Sequence, residues 1–193
     1  MMKSMGRLHP TFVVGIGGSA GGLAAYKALL DALRSNTDMA FVIVAHLYPS
    51  ANSELAQILS RHTRMPVTVA ATGMPIRANH VYVIPPNADL LIERNAFKVV
   101  SPRSKRNVQV DVFFTSLAEA MGARAIGIVL SGYDGDGTAG CLHIKTNGGT
   151  TFAQDMSSEV NYMPVSAQAS GCVDFVLPPK QIADELQRLG RRA

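Results

Sequence analysis

The sequence predicts an α/β protein with a doubly wound, mostly parallel β-sheet, helices on both faces of the sheet and a small antiparallel hairpin. Short β-branched runs alternate along the chain with longer segments whose apolar residues recur about every 3.6 positions. Three runs are continuously apolar, which is typical of strands buried on both faces of a parallel sheet. These runs are Phe12 to Val14, Phe41 to Val44 and Ile126 to Leu130.

The first half of the chain follows this alternation closely. A β-branched run predicts a strand at residues 11–16, and apolar periodicity predicts a helix at 20–34. A strand at 40–45 and a helix at 52–62 follow, with Asn52 or Ser53 as the helix cap. The next two strands are expected at residues 67–70 and 81–84.

Residues 85–110 depart from the alternation. Two short apolar runs, 90–93 and 97–100, flank Arg94 and Asn95 and predict an antiparallel hairpin. The alternation then resumes, with helices expected at residues 111–121, 136–146 and 179–189 and strands at 125–130, 150–153 and 173–176. In such a fold, ligands bind at the carboxyl ends of the strands, where the strand order reverses.

Composition excludes several classes of protein. The 193 residues, 47% hydrophobic and 17% charged, fit one folded domain at residues 11–190 behind a tail at 1–10. The net charge of +4 owes much to Arg188, Arg191 and Arg192, and with no Trp and 6% aromatic residues it does not indicate nucleic-acid binding. No leader pattern and no apolar run near 18 residues is present, so a cytoplasmic protein without membrane insertion is expected. Cys141 and Cys172 follow no metal-binding or disulfide spacing and are interpreted as buried thiols.

The loop after the first strand allows three interpretations. Gly15 and Gly17 followed by Ala20 match a dinucleotide-binding fingerprint, but no acidic residue ends the second strand to bind a ribose. Gly17-x-Ser19-x-Gly21 matches a nucleophile elbow, although the order of candidate residues along the chain is not that of α/β-hydrolases. Ser19 is also a good helix N-cap residue.

Two further loops carry polar residues at strand ends. His46 follows the second strand, and Asp134 and Asp136 follow the strand at 125–130. Adjacent parallel strands lie about 4.8 Å apart, so Ser19 and His46 are expected within hydrogen-bond range. A carboxylate in the third loop is placed to hold the Nδ1–H of a histidine, although Asp136 also suits the N-cap of the next helix.

Six strings, taken in order, resemble the catalytic domain of CheB-type protein-glutamate methylesterases over about residues 11–190. They are GSAGG at 18–22, VAHLYP at 44–49, VYVIPP at 81–86, VDVFF at 110–114, IGIVLSGYDGDG at 126–137 and GCVDFVLPP at 171–179. The resemblance implies a doubly wound sheet and hydrolysis of glutamate γ-methyl esters on methyl-accepting chemotaxis receptors. It also implies deamidation of specific receptor glutamines, contact with the cytoplasmic receptor helices, and no metal or cofactor.

Residue by residue, the resemblance assigns four roles. It makes Ser19 the nucleophile, His46 the general base and acid, and Asp136 the acid that orients the histidine. The backbone N–H of Tyr133 matches the proposed oxyanion donor of the family. Asp134 stands where the family commonly has glycine and receives no catalytic role.

Three departures from the family pattern bear on function. Ala20 replaces the hydroxyl residue that commonly follows the nucleophile, and residues 107–111 lack the Arg and Pro of many members, leaving open whether Arg106 substitutes. Only about ten residues precede the first strand, so no receiver domain is present in this sequence. The enzyme is then constitutively open, controlled by a separate receiver or signalling partner, or part of a longer chain. The alternative to an esterase is a catalytically weak regulatory or receptor-docking module of the same fold.

Overall fold

A computed structural model describes residues 9–46 and 54–193. Its strands and helices alternate through most of the chain, and single turns of 3₁₀ helix lie at Ser60–His62 and Gly122–Arg124. In chain order the elements are β1 (Val13–Gly18), α1 (Gly22–Ala32), β2 (Ala40–Ala45), α2 (Glu54–Leu59), β3 (Val67–Val69), β4 (His80–Val83), β5 (Asp89–Glu93), β6 (Ala96–Val100), α3 (Gln109–Met121), β7 (Ala125–Val129), α4 (Thr138–Thr146), β8 (Thr150–Gln154), α5 (Tyr162–Ala169), β9 (Phe175–Leu177) and α6 (Pro179–Gly190).

Seven strands form one parallel sheet in the order β3-β4-β2-β1-β7-β8-β9. Strand β1 pairs with β2 on one side and with β7 on the other, so the strand order reverses at β1. Every residue of β1, β2 and β7 is buried, as expected from their continuous apolar runs. The predicted doubly wound fold is confirmed.

Two apolar cores cover the two faces of the sheet. Leu29 of α1 and Leu186 of α6 pack with Phe41 on one face. Phe113 and Phe114 of α3 pack on the other face, together with residues of α4, α5 and the hairpin. Each such side chain contributes roughly 1.5–3 kcal/mol to the free energy of unfolding through its burial. Cys141 and Cys172 are buried thiols, as predicted.

The antiparallel hairpin is also confirmed. Strands β5 and β6 pair antiparallel as a separate two-stranded sheet. Arg94 and Asn95 connect them with φ angles of 48° and 68°. Two consecutive positive φ angles are typical of the type I′ turn, whose twist matches that of paired strands.

The largest difference from the predicted elements is α5, a helix that the sequence pattern did not indicate. Its apolar periodicity is interrupted by Pro164, which the first turn of a helix tolerates because no intrahelical acceptor is needed there. Met163, Pro164 and Ala167 are buried and fix the helix against the sheet. The last strand is displaced from 173–176 to Phe175–Leu177. The predicted caps Asn52 and Ser53, and most of the tail at 1–10, lie outside the described residues.

A buried carboxylate joins the hairpin to the segment that precedes α3. Asp89 is 3% exposed and accepts hydrogen bonds from Gln109 Nε2 at 2.9 Å and from the Ser104 N–H at 2.8 Å. Burial by itself raises the pKa of Asp89, but the hydrogen bonds from Gln109 and Ser104 outweigh it, and the net pKa is lowered. The ionised form of Asp89 therefore stabilises this junction.

Replacing Asp89 with Asn is expected to lower the free energy of unfolding by about 1–3 kcal/mol at pH 7, because an amide nitrogen then faces a hydrogen-bond donor. A carboxyl group whose pKa is lower in the folded than in the unfolded protein stabilises the folded state at pH values above its pKa in the unfolded chain, about 3.9. This stabilisation is lost as the pH falls through the pKa of the folded protein. The difference between wild type and Asp89→Asn should therefore narrow in urea denaturation at pH 3. The exposed Asp184 provides the control, Asp184→Asn, which should change stability by less than about 0.5 kcal/mol. An equal loss of unfolding free energy in Asp89→Asn and Asp184→Asn would contradict the stabilising role of ionised Asp89.

Candidate active site

Ser19 lies in the sharp turn between β1 and α1. Gly21, the N-cap of α1, has a φ of 73°, a left-handed conformation that glycine adopts without strain. No side chain caps the helix, so the interpretation of Ser19 as the N-cap is wrong. The Ser19 N–H donates to the Ser131 carbonyl at 2.8 Å, and its own carbonyl accepts from the Gly22 N–H at 2.9 Å. The backbone of Ser19 is thereby fixed, while its side chain lines a cleft.

A glycine in β1 allows α3 to approach this turn. A Cβ atom at Gly17 would lie 2.3 Å from Val110 Cγ1, far inside van der Waals contact. The absence of that Cβ lets the first turn of α3 reach the carboxyl ends of β1 and β7. Gly17 therefore serves the close packing of β1 against α3.

Asp136 lies at the N-terminus of α3. One oxygen of its carboxylate, Oδ2, accepts the Val110 N–H at 2.9 Å, and Oδ1 accepts the Asp111 N–H at 2.8 Å. The side chain is fully buried. A helix N-terminus favours negative charge because its first N–H groups lack intrahelical acceptors. Helix α4 is preceded by Gly137 as its N-cap without a side-chain cap, so the interpretation of Asp136 as the cap of that helix is wrong.

His46 follows β2 and contacts Asp136 directly. Its Nε2 lies 2.6 Å from Asp136 Oδ2, and its side chain is 8% exposed. Because the carboxylate accepts this hydrogen bond, Nε2 carries the hydrogen and Nδ1 is the nitrogen available to accept a proton. From the sequence the carboxylate was expected at Nδ1–H, but the ring is turned the other way, with Nε2 toward Asp136.

Ser19 and His46 line one cleft of about 630 Å³. The end of β1 pairs with the end of β2, which brings the two residues to the same edge of the sheet. No hydrogen bond joins the side chains of Ser19 and His46, so the expected contact is not formed in this structure. Such contacts are often long before substrate binds. The remaining lining residues are Ala20, Arg103, Arg106, Asn107, Tyr133 and Asp134.

Two backbone donors lie at this cleft. No described residue accepts a hydrogen bond from the N–H of Tyr133 or of Ala20. Ser131, completely buried, donates its hydroxyl to the Ala20 carbonyl at 2.7 Å and so ties the two loops together. The N–H of the residue after a nucleophile is a common oxyanion donor.

Asp111 holds the end of the loop that carries Asp136, a role that was not predicted from the sequence. Its Oδ1 accepts the N–H groups of Gly137 and Gly140 at 2.9 and 2.7 Å. Burial, assisted by the charge of neighbouring Asp136, raises the pKa of Asp111. The signal was present in the VDVFF string, whose first two residues supply the N–H groups that hold Asp136.

The fold and this cleft define a class of protein. A serine, a histidine and a buried carboxylate meet at the carboxyl ends of β1, β2 and β7, where the strand order reverses. This arrangement is typical of α/β hydrolytic enzymes that use a serine nucleophile.

Comparison with known proteins narrows the class to a family. The sequence model of the CheB methylesterase family matches residues 14–186. A Geobacter metallireducens protein named protein-glutamate methylesterase/protein-glutamine glutaminase 1 is 35% identical over 201 residues, covering 96% of this chain and 55% of that protein. The crystal structure of the Thermotoga maritima CheB methylesterase catalytic domain matches with a TM-score of 0.85 at 28% identity, covering 92% of this chain and 98% of that chain. The chain belongs to the CheB methylesterase family.

Family membership confirms the resemblance read from the six strings and makes the chain a hydrolase. A Leptospira interrogans relative is 34% identical over 178 residues, which cover 90% of this chain and 92% of that protein. The chain spans about half the length of other curated relatives, such as the Geobacter protein. Among the described residues, no helix is long and apolar enough to cross a membrane.

Proposed function

We propose that this chain hydrolyses glutamate γ-methyl esters on methyl-accepting chemotaxis receptors, and deamidates specific receptor glutamines, with Ser19, His46 and Asp136 as catalytic residues. The observation that carries the proposal is the 2.6 Å contact between His46 and a buried Asp136, beside Ser19 in one cleft. Family membership supports the reaction, since the relatives are named for both activities.

The reaction begins with proton transfer from Ser19 Oγ to His46 Nδ1. The Oγ atom attacks the ester carbonyl carbon, and the resulting oxyanion accepts hydrogen bonds from the backbone N–H groups of Tyr133 and Ala20. The C–O bond to the methoxy group then breaks, and His46 returns its proton so that methanol leaves. A glutamyl ester on Ser19 remains.

Water completes the cycle. His46 takes a proton from water, the hydroxyl oxygen attacks the glutamyl carbonyl, and collapse of the second tetrahedral intermediate releases glutamate and reprotonates Ser19 Oγ. For a glutamine substrate, ammonia takes the place of methanol in the first half. Throughout, Asp136 holds the ring through Nε2 and stabilises the imidazolium.

Two arginines form one wall of the cleft. No ion pair joins Arg103 or Arg106 to a described carboxylate. We infer that they contact carboxylates near the modified glutamate of the receptor. The receptor helices that carry this glutamate lie in the cytoplasm, so the enzyme acts there. Arg106 thereby replaces the arginine that the family pattern places nearer α3.

The proposal is tested by methanol release from a panel of chemoreceptors carrying isotope-labelled methyl esters. We expect release from at least one receptor, and loss of amide nitrogen as ammonia from receptors that carry glutamine at the same positions. The Thermotoga catalytic domain serves as the positive control. Release by that control from receptors on which this chain releases nothing would contradict the proposed function.

A further inference from the structure

A second carboxylate lies against the catalytic histidine. Asp134 Oδ2 is 3.4 Å from His46 Nδ1, the ring nitrogen opposite to the one held by Asp136. The Asp134 side chain is 29% exposed and lines the same cleft as Ser19. Nδ1 is also the nitrogen that the proposed reaction requires as the proton acceptor, so two groups face one atom.

The side chain of Asp134 is held by the backbone of its own loop. Its Oδ1 accepts the Asp136 N–H at 3.0 Å, a turn in which a side chain binds the backbone two residues ahead. This contact leaves Oδ2 directed at the histidine. The carboxylate is therefore held at Nδ1 by the same loop that carries Asp136.

The protonation state of the ring decides whether this contact is favourable. In the neutral ring, Nε2 carries the hydrogen toward Asp136, and Nδ1 presents a lone pair that a carboxylate does not attract. In the imidazolium, Nδ1–H donates to Asp134, and the positive ring lies between two negative charges. A ring in that form cannot accept the proton of Ser19.

We propose that Asp134 is a positioning residue that pairs with the imidazolium of His46 at Nδ1 and competes with Ser19 for that nitrogen. The proposal rests on the proposed function of His46 as the base. Asp134 then has two effects: it favours the protonated, inactive ring in the free enzyme, and it stabilises the imidazolium once Ser19 has given up its proton. The first effect sets the low-pH limit of activity.

Charged groups on the neighbouring elements enter this balance as well. Asp136 faces Nε2 from the loop after β7, and Asp111 lies behind it on α3. Arg103 and Arg106 line the cleft from the segment between β6 and α3 and oppose a positive ring. Of these groups, only Asp134 has an ion-pair contact with Nδ1, so its replacement isolates the effect at that nitrogen.

The test compares Asp134→Asn with Asp155→Asn across pH. Asn keeps the size of the side chain and an oxygen for the turn. Asp155 is the matched control, because its Oδ1 also accepts a backbone N–H two residues ahead, at 3.1 Å, in the loop after β8. In Asp134→Asn the acidic limb of kcat/KM is expected at lower pH than in wild type, and the plateau should fall by less than about tenfold. Asp155→Asn should leave both unchanged.

A second readout does not require turnover. The ring signals of His46 are followed by NMR against pH, assigned by their loss in His46→Asn. The pH at which these signals change should be lower in Asp134→Asn than in wild type, because the carboxylate at Nδ1 is gone. An unmoved midpoint, or a lower plateau with an unmoved limb, would overturn the proposal for Asp134. A shifted midpoint in a protein that releases no methanol would instead support this contact and contradict the proposed function.

Discussion

Replacing Ser19 with Ala is expected to abolish methanol release, with kcat reduced by a factor on the order of 10⁶. The nucleophile is lost, and the remaining backbone donors and His46 cannot form a covalent intermediate. The Ser19 side chain makes no hydrogen bond to a described residue, so the free energy of unfolding should change by less than about 0.5 kcal/mol. Methanol release and urea denaturation of the same preparation measure the two quantities.

Ser60→Ala is the control for this variant. Ser60 is exposed and follows α2, and its hydroxyl donates to the Gln57 carbonyl at 2.7 Å. Its replacement should leave methanol release unchanged. Turnover by Ser19→Ala above one hundredth of wild type would show that another group is the nucleophile.

Replacing Asp136 with Asn is expected to reduce kcat by a factor on the order of 10⁴. The amide no longer stabilises the imidazolium that forms when Ser19 loses its proton, and it does not fix the hydrogen on Nε2. The variant also loses a charge at the N-terminus of α3 and turns one amide nitrogen toward a backbone N–H. We therefore expect a loss of about 1–3 kcal/mol in the free energy of unfolding.

Asp111→Ala separates the catalytic effect from the structural one, because Ala leaves both of the backbone N–H groups that Asp111 Oδ1 accepts without an acceptor, whereas Asn would keep that oxygen. Asp111 likewise accepts two backbone N–H groups, those of Gly137 and Gly140, but no hydrogen bond or ion pair joins it to His46. It should show a comparable loss of stability and a much smaller loss of kcat. If the two variants lost activity equally, Asp136 would have only a structural role.

Local sequence patterns were sufficient to predict which strand ends carry the candidate site residues. The apolar runs of β1, β2 and β7 indicate a parallel sheet, and the ends of neighbouring parallel strands must meet at one edge. That geometry brings Ser19, His46 and Asp136 together even though 117 positions separate the first from the last, counted from 19 to 136. The hairpin was predicted from two short apolar runs around Arg94 and Asn95, a spacing typical of two strands joined by a tight turn.

Other features depend on contacts that no local pattern encodes. The ring orientation of His46 is decided by Asp136 in the loop after β7, which is held by the first turn of α3, and that turn reaches the site because Gly17 has no Cβ. The caps predicted at Ser19 and Asp136 were wrong because a glycine precedes each helix instead, at 21 and 137. Helix α5 is stabilised by packing of Met163 rather than by its own periodicity. The contact of Asp134 with Nδ1 follows from the fold of one loop in three dimensions.

Covalent labelling tests whether Ser19 is an activated nucleophile. The wild-type chain is incubated with a fluorophosphonate, and the site of modification is mapped by mass spectrometry of peptides. We expect one label, on Ser19, and strongly reduced labelling in His46→Ala, because the hydroxyl is then no longer deprotonated. If the reagent stopped methanol release without labelling Ser19, or labelled another residue instead, Ser19 would not be the nucleophile.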